Sequence, residues 1–481
     1  MTARGVDRRY IGTALGLSAL AAAITLASTA PVLAHAADRG HVLILPTGYY
    51  LFGGAAAVAL SFLVLALVPP GCLDRLFSFR RSLAVAPTWP RLAASTASFL
   101  CFVVLVAAGY LGSRDPLSNP LPLTFWTLFW IGLTLLQGVF GNIWWWINPL
   151  YAPWRLLSAV LGRNRAPELP RGLGYWPAVA LFLGFAWFEL VYPAPDDPAR
   201  LASVLAVYFA ANLSAALIFG YEAWTRQGEC LSAFLGMIAK LAVVEGCEPR
   251  RKRRALRFCL PGAKLSSAEP LPSSGVVFLL LALSSVSFDG LMRTFFWLGL
   301  NDVNPLEFPG RSAVVGIGSY GLVAMFAALA AAFFAAVALG DRLSGKSAGI
   351  AAAAGALVWS IIPISMAYHF SHYLTALLVN GQYALAALSD PLMNGADLFG
   401  TAGLHVQAGI VMGARSAWAI WNLQAAAIIA GHLLAVVVAH AIAYRLYGSA
   451  ARATRSQIPL AILMVVYTIF GLWLLSSPTA A

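Results

Sequence analysis

The sequence predicts an all-α fold, a polytopic transmembrane helical bundle of about ten spans behind a cleavable signal peptide. Three observations predict it. Of 481 residues, 60% are hydrophobic and 10% charged, and the mean hydropathy is +0.78. In soluble domains about a quarter of the residues are charged. Apolar runs recur that are long enough to cross a hydrocarbon core of about 30 Å, which takes about 20 helical residues. They are continuous rather than alternating, which excludes a β-barrel. Finally, the basic residues are concentrated in every second segment between runs, as orientation by positive charge requires.

Residues 1–34 read as the signal. Arg4, Arg8 and Arg9 precede an apolar run at 11–30, and Val32-Leu33-Ala34 fits a small-residue cleavage site. An uncleaved first helix is the alternative. Cleavage after Ala34 would leave His35 as the N-terminus, where its amine and imidazole form a chelate for copper, with His41 close by. Cleavage after Ala36 would remove His35.

Residues 35–481 read as one transmembrane domain. Its spans fall at about 48–69, 92–112, 123–146, 174–193, 201–219, 274–299, 312–340, 349–378, 416–446 and 457–476. With residue 35 outside, the predicted inner segments hold twenty-two Lys and Arg residues and the outer ones five. The net charge of +12 is therefore an orientation signal, and no nucleic-acid partner is implied. Cys72, Cys230, Cys247 and Cys259 fall in inner segments and Cys101 in a span, so no outer pair is available for a disulfide. The long inner segment, 220–273, reads as a basic loop. It contains an amphipathic piece at 230–244, and its run PRRKRRALRF would touch anionic headgroups of the lipid bilayer. Trp144 to Trp146, Trp154, Tyr175 and Trp176 read as interfacial anchors.

The chemistry concentrates at 366–405. His369 and His372 are three apart on an apolar helical run and share a face. Span eight starts near 349, so at about 1.5 Å per residue His372 lies some 35 Å along, at the outer boundary. Ionisable groups at such depth are costly unless they pair, bind or react. Asp289 interrupts span six four residues before Arg293. An ion pair within that helix is one reading, and a carboxylate that binds a metal or orients a histidine is the other. His432 and His440 share a side of span nine, where hydrogen bonding between helices explains them. Asp390 and Asp397 flank Pro391, Asn394 and Gly395 in a turn-rich outer segment that also contains His405.

The candidate set is thus Asp289, Asp390 and Asp397 as catalytic carboxylates, with His369, His372, His405, His432 and His35 as ligands of a divalent metal ion. Such donors suit zinc, manganese or iron, and copper if His35 is terminal. A metal with an open position could activate water. No HExxH, EF-hand, Walker A or GxSxG motif is present.

Several stretches carry a resemblance. After an AHA-type signal end come WPAVALFLGFAWFELVYP (176–193), SFDG (287–290), HYLTALLVNGQY (372–383) and SDPLMNGADLFGTAG (389–403). GHLLAVVVAHAIAYRLY (431–447) and RSQIPLAILMVVYTIFGLWLL (455–475) continue the order. Together they resemble a family of bacterial integral membrane proteins labelled fenitrothion hydrolase. The resemblance implies hydrolysis of an aryl phosphorothioate triester, a small lipophilic substrate, with release of a nitrophenol. With the charge pattern, it implies a bacterial cytoplasmic membrane with both mature ends in the periplasm, and it leaves a second subunit or homo-oligomer open as a further partner. Two other functions fit the same residues. One is a copper-handling or other metal-handling protein using the outer histidines. The other is an ion-coupled transporter in which Asp289, His369 and His432 form the ion path.

Overall fold

The structure is a computed structural model, described here for residues 47–69, 71–87, 90–162, 169–170, 172–246, 253–411 and 413–480. The signal segment 1–34, His35 and His41 lie outside the described residues.

The bundle is helical, as the apolar runs dictate. Among the described residues nine helices are long and apolar enough to cross a membrane. They are α1 (Thr47–Leu67), α2 (Arg91–Leu111), α3 (Pro120–Phe140), α5 (Pro198–Phe219), α6 (Ser273–Met292), α7 (Arg311–Leu343), α8 (Ile350–Ser389), α9 (Ala414–Tyr447) and α10 (Ala450–Ser476). Helix α4 (Trp176–Leu190) is apolar but has only 15 residues, about 22 Å of rise and short of a full hydrocarbon core. Each expected span thus coincides with a helix, but α8 extends to Ser389, well past the end expected near 378.

Burial sorts these helices. Over their most apolar stretches α8 is 83% and α6 78% buried, against 17% for α2 and α7. The first two therefore form the middle and the last two present apolar side chains outward. Close contact around α8 comes from small residues on its partners. A side chain at Gly431 of α9 would place Cβ 2.5 Å from Ala367 Cβ and 2.8 Å from the Pro363 carbonyl. At Gly471 of α10 the space is taken by the Tyr368 hydroxyl, which donates to the Tyr467 carbonyl at 2.9 Å. Small residues at such crossings let backbones approach and gain packing where no hydrophobic force drives association.

The predicted basic loop departs from expectation. It contains a helix at Cys230–Ile238 and contributes to a small sheet. Strands β1 (Arg80–Pro87), β2 (Val244–Gly246) and β3 (Arg253–Cys259) pair antiparallel in the order β1-β3-β2. Arg80 Nε donates to Glu245 Oε2 at 2.7 Å, tying β1 to β2 across the sheet. The backbone of the run 253–258 is occupied by strand pairing. The amphipathic piece is internal. Leu231, Phe234, Leu235 and Ile238 are buried, and Glu229 caps the helix by accepting from the N–H groups of Leu231 and Ser232. Phe234 packs on Trp130 of α3 and Phe182 of α4. This helix thereby closes the bundle beside Trp130 and Phe182.

Candidate functional site

Four helices deliver the site. On α8, His369, His372 and Tyr373 stand three and four residues apart, so one helical face presents all three. Asp289 lies one turn before the end of α6 and Glu189 one residue before the end of α4. Trp130 comes from the π-helical stretch Leu123–Leu133 inside α3. Such stretches are rare and recur at functional sites because they displace the regular backbone ladder.

Asp289 Oδ2 lies 2.8 Å from His372 Nε2 and accepts from the Tyr373 hydroxyl at 2.8 Å. The same hydroxyl lies 2.9 Å from Glu189 Oε1. A phenol has one hydrogen to donate. For both contacts to be hydrogen bonds, one carboxyl group must itself carry a proton and donate to the tyrosine oxygen. Asp289 already faces the imidazole, so Glu189 is the carboxyl placed to carry that proton. Of the two readings of Asp289, the structure has the carboxylate facing a histidine across helices rather than an ion pair with Arg293 in its own helix. His372 is 33% and Asp289 18% exposed at the side chain, so the pair sits at an opening rather than in a sealed interior.

His369 is buried, and its Nε2 lies 3.0 Å from the Trp130 carbonyl. A carbonyl can only accept, so Nε2 carries the hydrogen and Nδ1 is the lone-pair nitrogen. Beside His369 is a cavity of about 20 Å³ whose lining includes Glu189, Tyr373, Trp130 and Thr134. The opening of α7 braces the arrangement. Arg311 Nη1 donates to the Glu189 carbonyl at 2.9 Å, placing a cation on the exposed carbonyls at the end of α4.

The remaining sequence candidates lie elsewhere. Asp390 accepts from the N–H groups of Asn394 and Gly395, both at 2.9 Å. Asp397 accepts from Ser389 Oγ at 2.6 Å and from Ala402 N at 3.0 Å. The Ser389 hydroxyl, with the Ala402 N–H, holds the Asp397 carboxyl below the usual carboxylate range. Both aspartates therefore organise the turn after α8. His405 is exposed in the same loop. His432 is fully buried and lies against Tyr368 and Tyr467. Its Nδ1 contacts the Ile428 carbonyl of its own helix at 2.8 Å, and its Nε2 has no partner, so the expected hydrogen bond between helices is not made.

Among the described residues no three His, Cys, Asp or Glu side chains converge as metal ligands. The donors that do gather are already committed. A tyrosine hydroxyl stands between the two carboxylates, and the Nε2 of His369 is on a carbonyl.

Sequence reasoning missed Glu189 and Tyr373. Glu189 is the only charged residue of α4. A lone carboxylate in an apolar helix was a signal in its own right, masked by its place at the end of a span, where charge is cheap. Tyr373 gave no signal, since a tyrosine near a helix end reads as an interfacial anchor.

The chain matches no protein-family model, no curated protein and no solved structure at a significant level. Fold and site together define a class: an apolar helical bundle of membrane type with an internal Glu–Tyr–Asp–His network.

Proposed function

We propose that this protein is a multi-pass protein of the bacterial cytoplasmic membrane that takes up and releases a proton at the Glu189–Tyr373–Asp289–His372 network and couples that exchange to passage of a solute. What carries the reading is the pair of carboxylates on one tyrosine hydroxyl, an arrangement that counts as complete only when it holds one extra proton. Intramembrane carboxylate–histidine chains are the usual means of proton relay in pumps and transporters. The charge asymmetry supports a topology with both mature ends in the periplasm and the network nearer that face. Infrared spectra of the purified protein test the reading. A protonated-carboxyl band at neutral pH that disappears in Glu189→Gln is expected, and absence of that band in the parent protein overturns it.

A second reading has its own observation. Asp289 holds Nε2 of His372, so Nδ1 is the free lone pair of a half-exposed imidazole, the arrangement of a general base with its orienting carboxylate. Applied to the aryl phosphorothioate triester implied by the resemblance, water oxygen would bond to phosphorus as its proton passes to Nδ1 and the phenolate leaves. The 20 Å³ cavity holds no such substrate, which would have to approach His372 from the opening. Nitrophenol release by membranes containing the protein, lost in His372→Gln, is the expected result. Release that survives this substitution removes the reading.

A further inference from the structure

Two buried polar atoms in the described structure line the same space without a hydrogen bond of good geometry, although the Trp130 indole lies toward Glu189 and Tyr373. They are Trp130 Nε1 and Thr134 Oγ1, and both border the cavity beside Glu189 and His369. A buried N–H or hydroxyl left unpaired costs free energy comparable to a lost hydrogen bond. In a helix a threonine hydroxyl ordinarily turns back to the carbonyl four residues earlier. For Thr134 that carbonyl is Trp130's, which already contacts His369. A carbonyl oxygen can accept a second bond, but Thr134 makes none, and one partner within the cavity would serve both atoms. Its volume, about 20 Å³, is near the minimum of about 10–15 Å³ for one water, and a buried water needs two to four polar neighbours. Trp130, Thr134 and Glu189 supply three.

We propose that this cavity is a built site for one internal water. The water accepts from the Trp130 indole N–H and pairs with the Thr134 hydroxyl and the Glu189 carboxyl. It extends the network inward, towards His369 and the closing helix Cys230–Ile238, whose Phe234 and Ile238 seal its far side. Only its role rests on the proton-exchange reading. In that role the Glu189 O–H bond breaks and its proton joins the water oxygen. One of the water's own protons then passes to Nδ1 of His369. Water is restored and one proton has moved, while the Nε2–H of His369 stays on the Trp130 carbonyl.

The test uses the full chain in lipid nanodiscs. Infrared spectra in H2O and in H2¹⁸O are expected to show an internal-water O–H band that shifts with the isotope. The band should disappear in Thr134→Val, which has the same shape without the hydroxyl, and in Trp130→Phe. It should persist in Thr134→Ser, which also shows that a variant at this position folds. No isotope-sensitive band in the parent protein, or a band unchanged in both Thr134→Val and Trp130→Phe, overturns the site. A band with the expected sensitivities, together with no protonated carboxyl at Glu189, upholds the water and removes the proton-exchange reading instead.

Discussion

Asp289 and Asp397 are the same residue type, and both lie near the C-terminal end of a long apolar helix, α6 and α8 respectively. Asp397 is satisfied within its own loop by Ser389 and Ala402, groups within eight residues of it. Asp289 takes its partners from α8, and through Tyr373 meets a second carboxyl from α4. A carboxylate whose partners are local N–H groups and a hydroxyl builds a turn. One whose partners are an imidazole and a shared phenol from other helices forms a site whose protonation state can change. The difference lies in what the fold brings to each carboxylate.

The sharpest way to break the comparison is at Asp289. Asp289→Asn should abolish pH-gradient-driven exchange in vesicles, because the amide cannot stabilise the imidazolium of His372. Asp289→Ala should in addition cost about 1–3 kcal/mol, since it leaves the half-buried His372 and Tyr373 groups without their partner; denaturant titration in detergent checks this. Tyr373→Phe is expected to cost about 1 kcal/mol, the usual net worth of a hydrogen bond. It should also separate the two carboxyls, so that the Glu189 infrared band shifts while the His372–Asp289 contact survives. Either substitution leaving exchange and spectra unchanged would reduce the network to packing.

His432 sharpens the comparison from the other side. It is buried deeper than His372 but meets no carboxylate, and its Nε2 is already unpaired. His432→Leu should therefore change stability by less than about 1 kcal/mol, since an unsatisfied polar group leaves along with one local contact. Exchange should be unaffected. Loss of exchange in this variant would put His432 back on the ion path. The smallest effect is expected at Asp397. Its carboxyl is held below the usual range, so the order it gives the turn is present above the ordinary carboxylate pKa and lost as pH falls through the depressed value. Hydrogen exchange at the Ala402 amide should accelerate only in acid, and Asp397→Asn should accelerate it at neutral pH without touching exchange across the membrane.

Much of this was legible beforehand. The ten helical segments follow from apolar run length alone, because a backbone in hydrocarbon must satisfy its own hydrogen bonds. The face shared by His369 and His372 follows from helical period. What stayed hidden is of two kinds. The strand pairing of Arg80–Pro87 with Arg253–Cys259 joins segments more than 160 residues apart, and their arginines resemble any basic loop. The network depends on which helices neighbour one another, and apolar faces that all resemble Leu and Ala carry little information about order.

The sequence by itself therefore determined a helical bundle of membrane type, its apolar helices and the richest patch of ionisable residues, because length, hydropathy and period are local quantities. Only the tertiary structure decided that Asp289 meets His372 rather than Arg293, that Glu189 shares Tyr373 with it, and that Asp390 and Asp397 belong to a turn. Those outcomes depend on the approach of α4, α6 and α8 to within hydrogen-bond distance. Small residues such as Gly431 and Gly471 let helices pack closely around α8, but which neighbours they select is a property of the whole bundle.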